Sequence, residues 1–548
     1  MMNQRKQSAV GVEPLRPVEA SPRGESAKPS RYLARAVSLH LDGKPEDALK
    51  ELQRAIAKGE KTSEIYSAMG HIQFELGQFE GAADSYRDLL NLEPQHPTGW
   101  FNLAVCLERL GRWQEAAERF QKASEIDPAR VEARVGLGIC QLHLNTPKLA
   151  LVSFERCLEQ APEDETALFG KAVALQMERQ LDQATGLYRT ILKRNAESEE
   201  SLTNLIAIGM SNKDYEMVRE YAERLLEIRP QSTAALEGLA AWASAKNDFA
   251  MVAKFCTLLV SAAPKHFEGW FNLGLAHQKA GRFKEGAEAY TQAIRAKPDA
   301  SQAYTNLGIV RQELGDLKGA REAYEQAIKL DGEAIAALWN LALVLEQTGE
   351  QEEAEQTYNR LLEKTPDAEE ARFRLGYVRL QRANYAGAAQ AFETCLKKRA
   401  QWAEAQMNLA LSYWKMGERD LAQLVYEQVL NADPKNMDAV RGLAALALER
   451  SDFDQALEYH GRLIDLGERS SEVLYNAGLL LQKAGQMEDA ARLYREAAEE
   501  NPDFAEAMLN LGHVLKALGQ EEEARTCWSK ALEAKPELAQ GYFEPARN

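Results

Sequence analysis

The chain has 548 residues, 83 acidic against 66 basic, and a net charge of −17. That balance repels phosphate backbones and anionic lipid, and so argues against nucleic acid as a direct partner. No apolar run approaches the ~20 residues that a membrane-spanning helix needs, which argues against membrane insertion, and the six cysteines, none in a C-x-x-C pair, suit core filling in a reducing, cytoplasmic compartment.

In chain order, Met1 to Lys28 comes first, with Pro14, Pro17 and Pro22 among charged and small residues. It has no hydrophobic stretch to serve as a secretion signal and reads as a disordered tail. From Pro29 a 34-residue pattern recurs fifteen times with no inserted or deleted residue, ending at Pro536. The copies begin at Pro29, Ser63, Pro97, Val131, Glu165, Glu199, Thr233, Phe267, Ser301, Ile335, Glu369, Ala403, Met437, Ser471 and Ala505.

Each copy predicts two helices. Positions 4, 7, 8 and 11 fall on one face of a first helix, as Trp100, Leu103, Ala104 and Leu107 show. A second helix turns Ala116, Phe120 and Ala123 inward; Gly111 ends the first helix in the left-handed conformation and Pro128 ends the second. Position 24 is Tyr86, Phe120, Phe154, Tyr188, Tyr290, Tyr324, Tyr358, Phe392, Tyr426, Tyr494 or Trp528, and these rings are expected in the core. In four consecutive copies the turn glycine gives way to Asn145, Arg179, Lys213 and Asn247, and Val218 and Val252 replace a small alanine. Residues 199 to 266 are therefore expected to form a softer segment. After the last copy, Glu537 to Asn548 form a short tail or partial cap: Ala539 and Tyr542 begin another first-helix pattern that Pro545 cuts short, leaving the face around Trp528 and Leu532 partly uncovered.

One copy reads Phe267-Glu-Gly-Trp270-Phe-Asn-Leu273-Gly274, then Gly281, Gly286-Ala287, Tyr290, Ala293 and Pro298; the next supplies Tyr304, Leu307, Gly308, Gly315, Ala320, Tyr324 and Ala327. This period of aromatic, Leu-Gly, Ala, aromatic and Pro resembles the tetratricopeptide repeat. The resemblance covers about nine-tenths of the chain. It implies an all-α, right-handed superhelix, an α-solenoid of about fifteen helix-turn-helix repeats whose first helices line a concave groove. It also implies a protein-protein interaction scaffold.

On that wall, position 6 is Asn102, Asn204, Asn272, Asn306, Asn340, Asn408, Asn476 and Asn510 in eight copies, although asparagine is a poor helix-interior residue. A carboxamide offers donor and acceptor together and so pairs with an extended backbone of any sequence. The recurrence resembles the asparagine ladder in the superhelix of O-linked N-acetylglucosamine transferase, whose catalytic domain has no counterpart here. Asn272, Asn306 and Asn340 are the longest uninterrupted run. Where the ladder lapses the residue is usually glycine, at Gly136, Gly170, Gly238 and Gly442, which suits the close approach of something bulky.

Beside the amides, position 5 carries Phe101, Phe169, Phe271, Trp339, Phe373 and Tyr475, and position 9 is mostly aliphatic, as at Leu275, Ile309, Leu343 and Leu411. These are read either as an apolar strip flanking the ladder or as packing between successive first helices. Position 2 is chiefly acidic, at Glu132, Glu200, Glu268, Glu370, Glu404, Glu472 and Glu506, which favours basic peptide partners while also stabilising the first helical turn. The eight histidines look scattered: His71 and His513 fall at position 9, and His460 replaces a core aromatic.

No H-E-x-x-H, G-x-S-x-G, phosphate-loop or dinucleotide motif is present, and no catalytic residue, metal or cofactor is expected. The first reading is a non-catalytic scaffold that grips extended or disordered protein segments. Two alternatives stand beside it: a subunit that presents protein substrates to a separate transferase or envelope-assembly enzyme, and a structural array that self-associates through its terminal repeats.

Overall fold

The computed structural model describes residues 30–541. The expected disordered tail, Met1 to Lys28, and Tyr542 and Pro545 of the expected cap lie outside the described residues. Among those described there are thirty α-helices and no strand. The chain divides after Ala280 into two units.

In the first unit the helices are α1 (Arg31–Leu41), α2 (Pro45–Ala57), α3 (Ser63–Glu75), α4 (Phe79–Leu92), α5 (Pro97–Arg109), α6 (Trp113–Ile126), α7 (Val131–His143) and α8 (Pro147–Gln160). It continues with α9 (Glu165–Met177), α10 (Leu181–Arg194), α11 (Glu199–Asn212), α12 (Tyr215–Ile228), α13 (Thr233–Ala245), α14 (Phe249–Ala262) and α15 (Phe267–Lys279). The second unit holds α16 (Phe283–Ala296), α17 (Ser301–Glu313), α18 (Leu317–Leu330), α19 (Ile335–Thr348), α20 (Gln351–Lys364), α21 (Glu369–Gln381), α22 (Tyr385–Lys398) and α23 (Ala403–Met416). It ends with α24 (Arg419–Ala432), α25 (Met437–Glu449), α26 (Phe453–Asp465), α27 (Ser471–Lys483), α28 (Met487–Glu500), α29 (Ala505–Ala517) and α30 (Glu521–Ala534). A 3-10 turn over Pro536–Gly541 follows.

Local chemistry fixes these boundaries. Asp164 opens α9 by accepting the Ala167 N–H at 2.7 Å, and Asp214 opens α12 by accepting that of Met217 at 3.1 Å. Between α5 and α6, Gly111 sits at φ 71°. The Gly111 N–H donates to the Glu108 carbonyl at 2.9 Å and the Arg112 N–H to that of Leu107 at 2.9 Å, satisfying carbonyls that the helix end would leave open. The same turn is made without glycine at Asn145, Arg179, Lys213 and Asn247, and also at Ala383 and Ser451, all with φ between 57° and 59°.

Within each unit, successive helices pack on one another and no single core gathers them. The position-24 rings lie at the centre of each local core, as their spacing predicts: Tyr86, Phe120, Phe154, Tyr188, Tyr290, Tyr324, Tyr358, Phe392 and Tyr494 are fully buried, Tyr426 nearly so, and Trp528 half-buried. Phe154 shows how tight the fit is. A Cβ on Gly138, in the same copy, would lie 2.6 Å from the ring, and one on Gly170, in the next, 2.3 Å. The bulky group against which position 6 stays glycine is thus the aromatic of the preceding copy at Gly136, Gly170 and Gly442, and Val218 with Ile206 at Gly238.

Residues 199 to 266 use a different arrangement of the same volume. Position 24 is small there, Ala222 and Cys256, but buried Val218 and Val252 stand four residues earlier and buried Tyr221 and Phe255 one residue earlier. Val218, with Ile206, takes the place of the ring against Gly238, so the site stays packed without an aromatic at position 24.

Candidate functional site: the first-helix face

Helical spacing puts positions 2, 5, 6, 9, 12 and 13 of each first helix on one face. The position-6 asparagines do three different things there. Asn102 is 2% exposed and donates from Nδ2 to the Tyr86 hydroxyl at 3.2 Å; it has no surface to offer a ligand. Asn510 is half-buried and donates to the Tyr475 hydroxyl at 3.0 Å. Asn204 and Asn408 are half-buried and donate to carbonyls of their own helices, Glu200 and Glu404, at 2.9 Å each. Asn306, Asn340 and Asn476 are half-buried and Asn272 is exposed. Asn306 also hydrogen-bonds the Tyr290 hydroxyl, whose pKa burial drives up against that bond.

A hydrogen-bond rule ties this face to the core beneath it. The buried position-24 tyrosine donates its hydroxyl to position 12 of its own copy in three cases: Tyr188 to Gln176 at 3.0 Å, Tyr324 to Gln312 at 3.0 Å, and Tyr494 to Gln482 at 2.8 Å. Position 6 of the next copy meets the tyrosine hydroxyl in some copies, Asn102 at Tyr86, Asn306 at Tyr290 and Asn510 at Tyr494. At Tyr358 the acceptor is Glu346, at 3.0 Å, and Arg374 takes the asparagine's place by donating to Glu346 at 3.1 Å. At a spacing of sixteen the sequence sets Tyr86, Tyr188, Tyr290, Tyr324 and Tyr494 before asparagine and Phe120 and Phe154 before glycine, a tendency that Phe392 before Asn408 and Tyr426 before Gly442 break.

The aromatics at position 5 are drawn partly into packing. Phe101 is buried, edge-on to Phe120 at 5.8 Å between centroids and under the Arg130 guanidinium at 4.8 Å. Phe169, Phe271, Trp339, Phe373 and Tyr475 remain half-buried. Trp339 meets Tyr358 at 6.2 Å, Phe373 meets Phe392 at 5.6 Å and stacks on Trp402 at 4.6 Å, and Tyr475 lies 5.0 Å from Phe504. At position 9, Val105 and Ile139 are buried, whereas Leu275, Ile309, Leu343 and Leu411 keep half their character as surface. Both expectations for the strip therefore hold in part: α5 and α7 bury it, and the first helices from α17 onward leave it accessible.

The acidic position 2 stays on the surface at Glu132, Glu200, Glu268, Glu370, Glu404 and Glu472; Glu506 is half-buried and paired with Lys535 at 2.6 Å. Position 12 holds a different acid at Glu108, which is 3% exposed with no partner for Oε2; burial pushes its carboxyl up to about 7 against the pull of Arg109. Of the cysteines, Cys106, Cys140, Cys157, Cys256 and Cys395 are buried and Cys527 is half-buried. Burial drives the Cys106 and Cys256 thiols up to about 12, which suits core filling. His460 is buried in its aromatic's place, with Nδ1 2.7 Å from the Ala456 carbonyl, and His513 is exposed. No helix among the described residues is long and apolar enough to cross a membrane.

Family models of the tetratricopeptide repeat match residues 67–131, 111–165, 305–369, 352–405 and 407–468, and others match 267–300 and 481–541. The chain belongs to the tetratricopeptide repeat family, whose repeats build protein-protein interaction scaffolds. Solved structures similar to it include a tetratricopeptide repeat protein from Parabacteroides merdae, 20% identical over 48% of this chain and 98% of its own, with a TM-score of 0.32. The Cut9-Hcn1 hetero-tetramer of APC/C is 13% identical over 89% of this chain and 98% of its own, with a TM-score of 0.32. YrrB, described as a TPR protein with an unusual peptide-binding site, is 21% identical over 34% of this chain and 96% of its own, with a TM-score of 0.31. No curated protein matches the chain.

Proposed function

We propose that the second unit binds extended protein segments along its first-helix face, through Asn306, Asn340, Asn408, Asn476 and Asn510. The observation that carries this reading is that all five amides are half-buried and that, in the helices of the first four, position 9 is a half-buried aliphatic, at Ile309, Leu343, Leu411 and Leu479, whereas beside Asn510 it is the exposed His513. The amide supplies a donor and an acceptor to a backbone, and the adjoining aliphatic supplies apolar contact to whichever side chain points inward. Where one amide N–H is already used, as in Asn408, the second N–H and Oδ1 keep the pairing possible.

Packed helices stand ~8–10 Å apart, and an extended chain advances about 3.3 Å per residue. Amides in consecutive copies, as Asn306 with Asn340 and Asn476 with Asn510, therefore serve roughly every third residue of the bound segment, with wider gaps across Arg374 and Gly442. Each such bond contributes about 0.5–1.5 kcal/mol, so affinity grows with the number of copies engaged and depends little on peptide sequence. The exposed carboxylates of Glu370, Glu404 and Glu472 favour segments rich in lysine or arginine.

A displayed library of unstructured twelve-residue peptides, selected on the full chain, tests this. Selected peptides should share basic composition and lose more than about tenfold in affinity when Asn306→Ala, Asn340→Ala and Asn408→Ala are combined, two to three weakened bonds being worth that much. Unchanged affinity in a triple variant of normal helicity would remove the amides from the mechanism.

A further inference from the structure

Two histidines that look unrelated in the sequence meet at the start of the first unit. His40 lies in the last turn of α1, at position 12 of its copy; His71 and Glu75 lie on α3, at positions 9 and 13 of the next. Residues four apart share a helix face, and the neighbouring copy brings position 12 alongside them. His40 Nε2 is 3.5 Å from Glu75 Oε2, His71 Nε2 is 3.3 Å from Glu75 Oε1, and the three groups offer ligand atoms all within 4.8 Å of one another. The rings are edge-on, 73° apart with centroids at 6.0 Å, which lets both point at one place. Each Nδ1 is buried, so Nε2 is the nitrogen that either ring presents to solvent.

We propose that His40, His71 and Glu75 bind one divalent transition-metal ion, zinc(II) above all. With zinc bonds of about 2.0–2.1 Å, tetrahedral geometry sets donor atoms ~3.4 Å apart; each imidazole nitrogen lies at about that distance from one of the two Glu75 oxygens, and the three donors, within 4.8 Å of one another, draw together by a modest side-chain adjustment when an ion binds. Two imidazoles and one carboxylate suit zinc, cobalt(II) or nickel(II), whereas calcium and magnesium require oxygen donors. Three protein ligands leave a fourth position for water or for a donor from a bound protein. The side chains are partly exposed, Glu75 at 44%, so an ion has a path in. This site is the only His, Cys, Asp and Glu grouping of its kind among the described residues. It stands independently of peptide binding by the second unit.

The test uses untagged full-length protein stripped with a chelator. Zinc titrated calorimetrically should bind at one ion per chain, and cobalt(II) should give the visible absorption of a four-coordinate N/O site. His71→Ala and Glu75→Gln should each weaken zinc binding by more than about tenfold, since loss of even an outer-shell partner costs that much. His513→Ala, at an exposed histidine far along the chain, should leave it unchanged. Glu75→Gln alters only an exposed side chain and keeps the test decisive should His71→Ala fail to fold. Absence of saturable one-to-one binding, or binding that Glu75→Gln and His40→Ala leave intact, overturns the proposal.

Discussion

Glu108 shows what burial does to one acid on the first-helix face. Its carboxyl is held up to about 7 against an ordinary 4.5. Below pH 4.5 both folded and unfolded chains carry the proton and folding bears no penalty. As pH rises toward 7 the unfolded chain gives up its proton while the folded chain keeps it, so stability falls, and the loss is complete above the folded value. Glu108→Gln is therefore expected to raise unfolding free energy by about 1–3 kcal/mol at pH 8 and by little at pH 4.5; chemical denaturation at the two pH values measures it. Glycine at position 6 makes an equally local prediction. Gly170→Ala drives a Cβ to 2.3 Å from Phe154 and should destabilise by about 1–3 kcal/mol, read as a lower first unfolding midpoint in urea. The recurrence of asparagine was plain in the sequence, but its division of labour was not. A carboxamide bonded to a buried tyrosine and one bonded to its own helix are the same letter at the same position, and the residue sixteen earlier does not separate them: Asn102 and Asn204 both follow a tyrosine, yet Asn102 donates to Tyr86 and Asn204 to the Glu200 carbonyl.

Among the elements, helix pairs were legible because apolar spacing, a turn residue and a helix stop recur together. The turns tell more than the glycines alone suggested. Ala383 and Ser451 adopt the left-handed conformation with no side-chain property that favours it, at a cost of roughly 1–2 kcal/mol each. Ala383→Gly should thus raise stability by about 1 kcal/mol after glycine's own entropy is charged, whereas Gly417→Ala, at φ 85°, should lower it. The segment from 199 to 266 departs from the pattern while keeping large side chains buried. Counting departures from the pattern position by position missed that Val218, with Ile206, fills the space left by the ring absent at Ala222 while Tyr221 is buried one residue away. Amide protection in α12 should accordingly match that in α10 by hydrogen exchange.

For the molecule as a whole, stability is a sum of local terms, because each pair of helices is held chiefly by its neighbours within a unit. The same register explains what the sequence hid at its beginning. His40 and His71 are far apart along the chain and looked solitary, yet repetition sets position 12 of one copy beside positions 9 and 13 of the next. With a net charge of −17, salt tests the proposed preference for basic segments: affinity for the selected peptides should fall as salt rises. Which wall holds the peptide is the central question, and site-specific photo-crosslinking answers it most directly. A photoreactive residue at Leu343, on the first-helix face of α19, is compared with one at Leu424, 51% exposed on the second-helix α24. Selected peptides should crosslink from Leu343 and not from Leu424, and unlabelled peptide should compete; crosslinks confined to Leu424 would contradict the account.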